Sequence, residues 1–279
     1  MLGIVTRHAG DRAIPEFQRT YFEAKDVSGR ASAPIEDAIN TISCFGDNAT
    51  AMGNPELVAV DADGRRADAE HPRFDWAAIC PTHPGYKAGL YEMIADASAT
   101  GRGIRLDDVG FPAAEFCRCD RCERSFAEAA TDDRADWRVS VITDFVETAF
   151  EPVRGERIMS VHADPYPGHM RTQTGVDLVA VAPLVDTIVV PLYDPAYATN
   201  YWLEALAAGF HDRLTDLDIR LAVELYAVDV RIDALIEAVH TVDPYVDEVI
   251  LGYDSSTATA AVRRMQADEV TGTAYGPSS

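Results

Sequence analysis

The stretch GIRLDDVGFPAAEFCRCDRC, residues 103–122, holds the two patterns that decide how this chain is read. Its first part, GIRLDDV (103–109), is a short apolar run ending on two adjacent carboxylates, Asp107 and Asp108. A short run of this kind, closed by turn residues, reads as a strand buried on both faces. Its second part sets Cys117, Cys119 and Cys122 in a C-x-C-x-x-C cluster. With Cys80, at the head of CPTHPGYK, they offer four thiolates, the donor set of a closed tetrahedral zinc site. A redox pair or a nucleophilic thiol is the alternative use of such a cluster.

Downstream the strand-then-helix pattern repeats. A helical pattern covers about 120–153, with Val139, Val141, Ile142, Phe145, Val146 and Phe150 at helical spacing. RIMSVHADP (157–165) is extended, and a helix is expected over about 175–184. DTIVVPLYDP (186–195), IRLAVELYA (219–227) and EVILGYDSS (248–256) are strands. Helices over YWLEALAAGFHDRL (201–214), RIDALIEAVHTV (231–242) and about 257–267 alternate with them. Alternation this regular means parallel βα units. Each strand also ends on polar or aromatic residues: Asp107 and Asp108, His162 and Asp164, Tyr193 and Asp194, Glu224 and Tyr226, Tyr253 and Asp254. In a (β/α)8 barrel those ends build the active-site face. A doubly wound sheet would gather its site along one crevice, and no glycine-rich phosphate loop follows any strand. The expected fold is α/β, a TIM-type (β/α)8 barrel.

The front of the chain is read as LGIVTR (2–7), a strand; residues 14–25, a helix; and AINTISCFG (38–46), a strand. PELVAVDADGR (55–65) is an extended excursion turning at Asp63-Gly64, and residues 73–80 are extended. That leaves two strands before residue 100 where a full barrel needs three, so an abbreviated N-terminal part is expected. One domain spans 1–270, and 271–279 reads as a flexible tail.

Of 279 residues 47% are hydrophobic, enough for one large core, and the net charge is −22 with only two lysines, Lys25 and Lys87. An acidic, lysine-poor surface is that of a halophile, and it argues against a nucleic-acid footprint, which would be basic. No apolar stretch nears the ~18 residues of a membrane span, and none reads as an export signal, so a cytoplasmic location is expected. Five cysteines without such a signal do not suggest a disulfide framework, and Cys44 reads as a small buried apolar residue. Oligomeric state is left open.

PELVAVDADGR, CPTHPGYK and LDDVGFPAAEFCRCDRCERSF, in that order, resemble the catalytic domain of glycoside hydrolase family 42, the β-galactosidases. The resemblance implies a (β/α)8 barrel, a carbohydrate substrate, and a structural zinc held by Cys80, Cys117, Cys119 and Cys122. It places the acid/base of strand four on Asp108 and the neighbouring sugar-binding asparagine on Asp107. The nucleophile of strand seven falls on Glu224. This chain departs from the pattern at both strand-four positions, with Asp in place of Glu and of Asn, and the resemblance covers the catalytic domain alone.

Glycoside hydrolysis needs two carboxyl groups flanking the bond, and Asp108 with Glu224 is the expected pair, with Glu115 in reserve. Tyr166, Tyr193, Tyr226 and Tyr253 are candidates to stack on sugar rings. His162, Asp164, Asp194, Arg7, His8, Asp47 and Asn48 are candidates to bind hydroxyls, together with Asp107. Two other readings stay open: a non-catalytic carbohydrate-binding or structural barrel that keeps the zinc site, and an enzyme with a second divalent metal on His162, Asp164 and Asp194.

Overall fold

The computed structural model describes residues 1–271, apart from Pro165 and Pro167. Eight parallel strands close into a barrel in chain order: β1 Leu2–Thr6, β2 Arg19–Lys25, β3 Ile39–Ser43, β4 Gly103–Asp107, β5 Glu156–Ser160, β6 Thr187–Pro191, β7 Arg220–Tyr226 and β8 Glu248–Gly252. Leu2 pairs with Val249 across the closure. The TIM-type reading holds, and its N-terminal part is not abbreviated. The third early strand is β2, inside the segment expected to be helical. Thr20, Tyr21 and Phe22 favour extended backbone, but residues 20–25 are all buried, so no polar face marks a strand. Glu23 and Lys25 hide it further.

The longer helices are α1 Pro84–Thr100, α2 Asp120–Ala127, α3 Arg134–Phe150, α4 Tyr201–Thr215, α5 Ile232–Val242 and α6 Ser255–Thr271. The helix expected over 120–153 is therefore two, α3 starting where the Asp133 carboxylate caps the Ala135 amide. The helix expected over 175–184 is a short turn, Leu178–Val181, running into a 3-10 turn. Residues 58–66 and 78–79 form isolated antiparallel bridges rather than a strand of the barrel. The tail expected over 271–279 lies outside the described residues, save that Thr271 ends α6. No described helix is long and apolar enough to cross a membrane.

Two apolar cores follow from the pleat. Side chains facing the helices form one large core. Those facing the axis form a small one of Val5, Tyr21, Ile39, Ile158, Val189, Ala222 and Ile250. This inner plug separates polar groups at the two ends of the barrel. At the amino end, Arg19 reaches Glu248 (3.0 Å) and Glu156 (2.6 Å), Arg220 reaches Glu156 (2.8 Å), and the Tyr21 hydroxyl donates to Glu248 (2.8 Å). Gly3 leaves room for this, since a Cβ there would lie 2.5 Å from a Glu248 oxygen.

Burial drives the Glu248 carboxyl upward, and Arg19 opposes that. Losing Arg19 would strand a buried carboxylate. Arg19→Ala should lower the unfolding free energy by about 3 kcal/mol, read as a fall in the urea midpoint at unchanged slope. A change under about 1 kcal/mol would place the network among surface pairs instead.

Candidate active site at the carboxyl ends of the strands

The same pleat that aims Tyr21, Ile158 and Ala222 inward aims Glu23, Ser160 and Glu224 inward one step later on their strands. Arg105 and Asp107 face the axis on β4. Arg105 is almost wholly buried and is the hub. Its Nε donates to Asp107 (2.8 Å) and to Ser160 Oγ (2.9 Å), and its NH1 donates to Glu224 Oε2. The Ser160 hydroxyl in turn donates to Asp107. Carboxylates from β4 and β7 are thus joined through one guanidinium at the barrel mouth.

Glu224 has no accessible surface because tyrosines roof it. The Tyr193 hydroxyl donates to Glu224 Oε1 and lies 3.4 Å from the Tyr253 hydroxyl. Tyr193, Tyr226 and Tyr253 form a triangle with ring centroids 5.5 to 6.4 Å apart. Arg7 lies over the Tyr253 ring at 5.1 Å and donates to Glu23. Burial raises the Glu23 carboxyl; Arg7 opposes this, and Asp107 and Glu224 add to it. Glu23 and Ser160 were missed in the sequence. Glu23 lies in the segment expected to be helical, and a serine on an apolar strand carries no signal.

Asp108 turns away from this group. Its backbone is left-handed (φ 53°), and its carboxylate accepts from Ser43 Oγ at 2.6 Å. Burial, then the charge of Asp107, raises its pKa to about 6. It lines a cavity of about 210 Å³ together with Phe74, Trp76 and His162. Behind it Lys25 is buried, donating to the Ser43 carbonyl (2.8 Å) and pairing with Asp47 (3.2 Å).

The other candidates divide. His162 lines the cavity, and burial lowers its pKa. Asp164 pairs with His169. Asn48 accepts from the Ala77 amide (2.8 Å), and Asp47 caps a short helix at Thr50 (2.8 Å), so both hold backbone. Asp194 accepts from the amides of Ala196 and Tyr197 (2.7 and 2.9 Å). The His8 amide donates to Thr6 Oγ1 (3.0 Å). Glu115 pairs with Arg73 on the surface. His162, Asp164 and Asp194 do not gather into a metal-binding group: among the described residues the cluster able to hold an ion is the cysteine one.

There, Cys80 Sγ lies 3.7 Å from Cys117, 4.0 Å from Cys119 and 3.4 Å from Cys122. Tetrahedral zinc with bonds of ~2.3 Å spaces its sulfurs by about 3.8 Å, and Cys80, Cys119 and Cys122 lie mutually close enough to share an ion, with Cys117 beside Cys80 but outside that group of three. Burial pushes the Cys117 thiol up, whereas hydrogen bonds from the other three thiols pull Cys80 down. Cys44 is buried, away from the cluster.

No family model and no curated protein matches the chain. Solved structures do. A chitinase from Chromobacterium violaceum aligns over 95% of this chain and 99% of its own, at 13% identity and a TM-score of 0.51. An endo-β-1,4-mannanase from Cellulomonas fimi aligns over 94% and 70%, at 10% identity and a TM-score of 0.55. A Rhizomucor miehei chitinase aligns over 95% and 99%, at 10% identity and a TM-score of 0.50. At these identities the likeness establishes the fold, a (β/α)8 barrel.

Asp108 binds its proton more tightly folded than unfolded, since about 6 exceeds the ~3.9 of a free aspartate. Its contribution to stability is therefore full below about pH 4 and lost as pH rises through about 6. The unfolding free energy of wild type minus Asp108→Asn should fall across that window. A flat difference would mean an unperturbed carboxyl.

Proposed function

We propose that this protein is a glycoside hydrolase. It acts on O-glycosidic bonds with Glu224 as nucleophile or base and Asp108 as proton donor, within a barrel braced by a structural zinc. One observation carries the reading: carboxylates from β4 and β7 share buried Arg105 at the barrel mouth, while the pKa of the next carboxyl, Asp108, is raised to about 6. Hydrolysis requires two carboxyl groups, one of them able to give a proton. The glycosidase-like barrel and the ordered match to family 42 agree with it. Asp107, fixed by Arg105 and Ser160, positions the arginine and offers an oxygen to a sugar hydroxyl. Tyr193 covers Glu224, so a substrate reaches it only by displacing that hydroxyl. Arg7, Tyr226 and Tyr253 form the rest of the rim.

Cys80, Cys117, Cys119 and Cys122 would hold the zinc and tie the loop after β4 to the loop before α1. With all four donors protein thiolates, no position is left for water, so the ion supplies rigidity rather than chemistry. A non-catalytic sugar-binding barrel is the second reading, favoured by the complete burial of Glu224. The acidic composition supports assays in molar salt.

A panel of aryl glycosides tests the choice. Wild type should cleave one sugar, and Glu224→Gln and Asp108→Asn should lower kcat by roughly 10²–10⁴-fold. The acid must be protonated to act, so kcat/KM should fall as pH rises above about 6. If Asp107→Asn abolishes the alkaline limb and Asp108→Asn spares it, the proton donor is Asp107. Sugar binding with no cleavage of any substrate would favour the second reading.

Metal analysis should return one zinc per chain, and Cys119→Ser should lose both zinc and thermal stability. Full zinc occupancy in that variant would refute a four-thiolate site.

A further inference from the structure

The cavity beside Asp108 is not a closed pocket for a single sugar. Arg73, Pro112 and His162 line it and also line a second cavity of about 520 Å³. The two therefore adjoin along the loops after β4 and β5. The near wall of the pair carries Phe74 and half-buried Trp76. Gly46 makes room for that indole, since a Cβ there would come 3.0 Å from Nε1. Its middle carries His162, solvent-accessible although protein surrounds it, as a cleft wall requires. Burial favours the neutral imidazole, which presents one donor and one acceptor. Its far end carries Gln173, whose side-chain oxygen accepts from the Ala114 amide (3.2 Å), and Tyr166, 70% exposed.

Aromatic rings at both ends, with His162 and the charged Arg73 and Asp164 between them, match a chain of sugar rings. The rings stack on their C–H faces, and their hydroxyls both donate and accept. We propose that this cleft binds a linear oligosaccharide, with Trp76 near the reacting bond and Tyr166 a more distant subsite, so that the enzyme acts within or near the end of a chain rather than on an isolated terminal sugar. The proposal rests on the glycosidase reading and specifies its substrate class.

The test uses β-1,4-linked mannose, N-acetylglucosamine and galactose oligomers, from disaccharide to hexasaccharide, in molar salt. Cleavage is measured with wild type, and binding by calorimetry with Glu224→Gln. Within one series, affinity should rise and KM should fall with length. Tyr166→Ala, a surface change, should narrow the ratio of disaccharide to hexasaccharide KM by about five- to tenfold, the scale of one stacked ring. His162→Ala should act similarly on the longer oligomers. Cleavage at equal KM for all lengths would overturn the cleft proposal and leave the glycosidase reading intact. Length-dependent binding without cleavage would support the cleft and sink the glycosidase reading. Absence of binding and cleavage in all three series would overturn the cleft proposal.

Discussion

A guanidinium buried inside a barrel sets the terms for everything near it. Arg105 faces the axis, with almost no accessible surface. Taking that charge out of water costs several kcal/mol, and only well-placed carboxylates offset it. Asp107 on its own strand and Glu224 on β7 supply them, and Ser160 on β5 takes the remaining Nε contact. Three strands distant in sequence are thereby tied at one level of the barrel. The arginine also dictates what the carboxylates can do. A carboxylate bonded to it is held in a fixed direction, which suits a nucleophile or a sugar anchor.

The inner core makes such an arrangement affordable in structural terms. Val5, Tyr21, Ile39, Ile158, Val189, Ala222 and Ile250 fill the middle and keep the two charged ends apart. At the amino end Arg19, Arg220, Glu156 and Glu248 compensate one another and reach no cleft. At the carboxyl end Glu23, Asp107 and Glu224 face Arg7 and Arg105, and Tyr193 covers Glu224. The βα loops at that end build the cavity that Asp108 lines.

Strands β4 to β8 were legible because each is a short apolar run with a polar end, separated by helical periodicity. β2 was not, since Glu23 and Lys25 sit inside it and every residue from 20 to 25 is buried, so alternation had nothing to show. That one misreading hid Glu23 and made the barrel look incomplete. Glu224 and the aspartate pair could be found from position alone, as could the four cysteines, whose spacing is local for three of them. Ser160 and the hub role of Arg105 depend on side chains meeting across the barrel, which no local pattern encodes. Asn48 and Asp194 sit at strand ends as expected, but their oxygens are spent on backbone amides, as short polar side chains in tight turns commonly are.

The two adjacent aspartates show how backbone conformation divides labour. Extended geometry would send Asp107 and Asp108 to opposite faces, one into the barrel and one toward the helices. The left-handed turn at Asp108 instead swings it over the end of β3 to Ser43, at the mouth of a cleft. Aspartate tolerates that conformation better than a longer side chain does. An aspartate at this position is short and also permits the turn that re-aims it. Asp107, held by Arg105, raises its neighbour's proton affinity by charge alone, while burial supplies the larger share. A site built this way needs no long acid reaching across the barrel, because the backbone carries the carboxyl to the cleft.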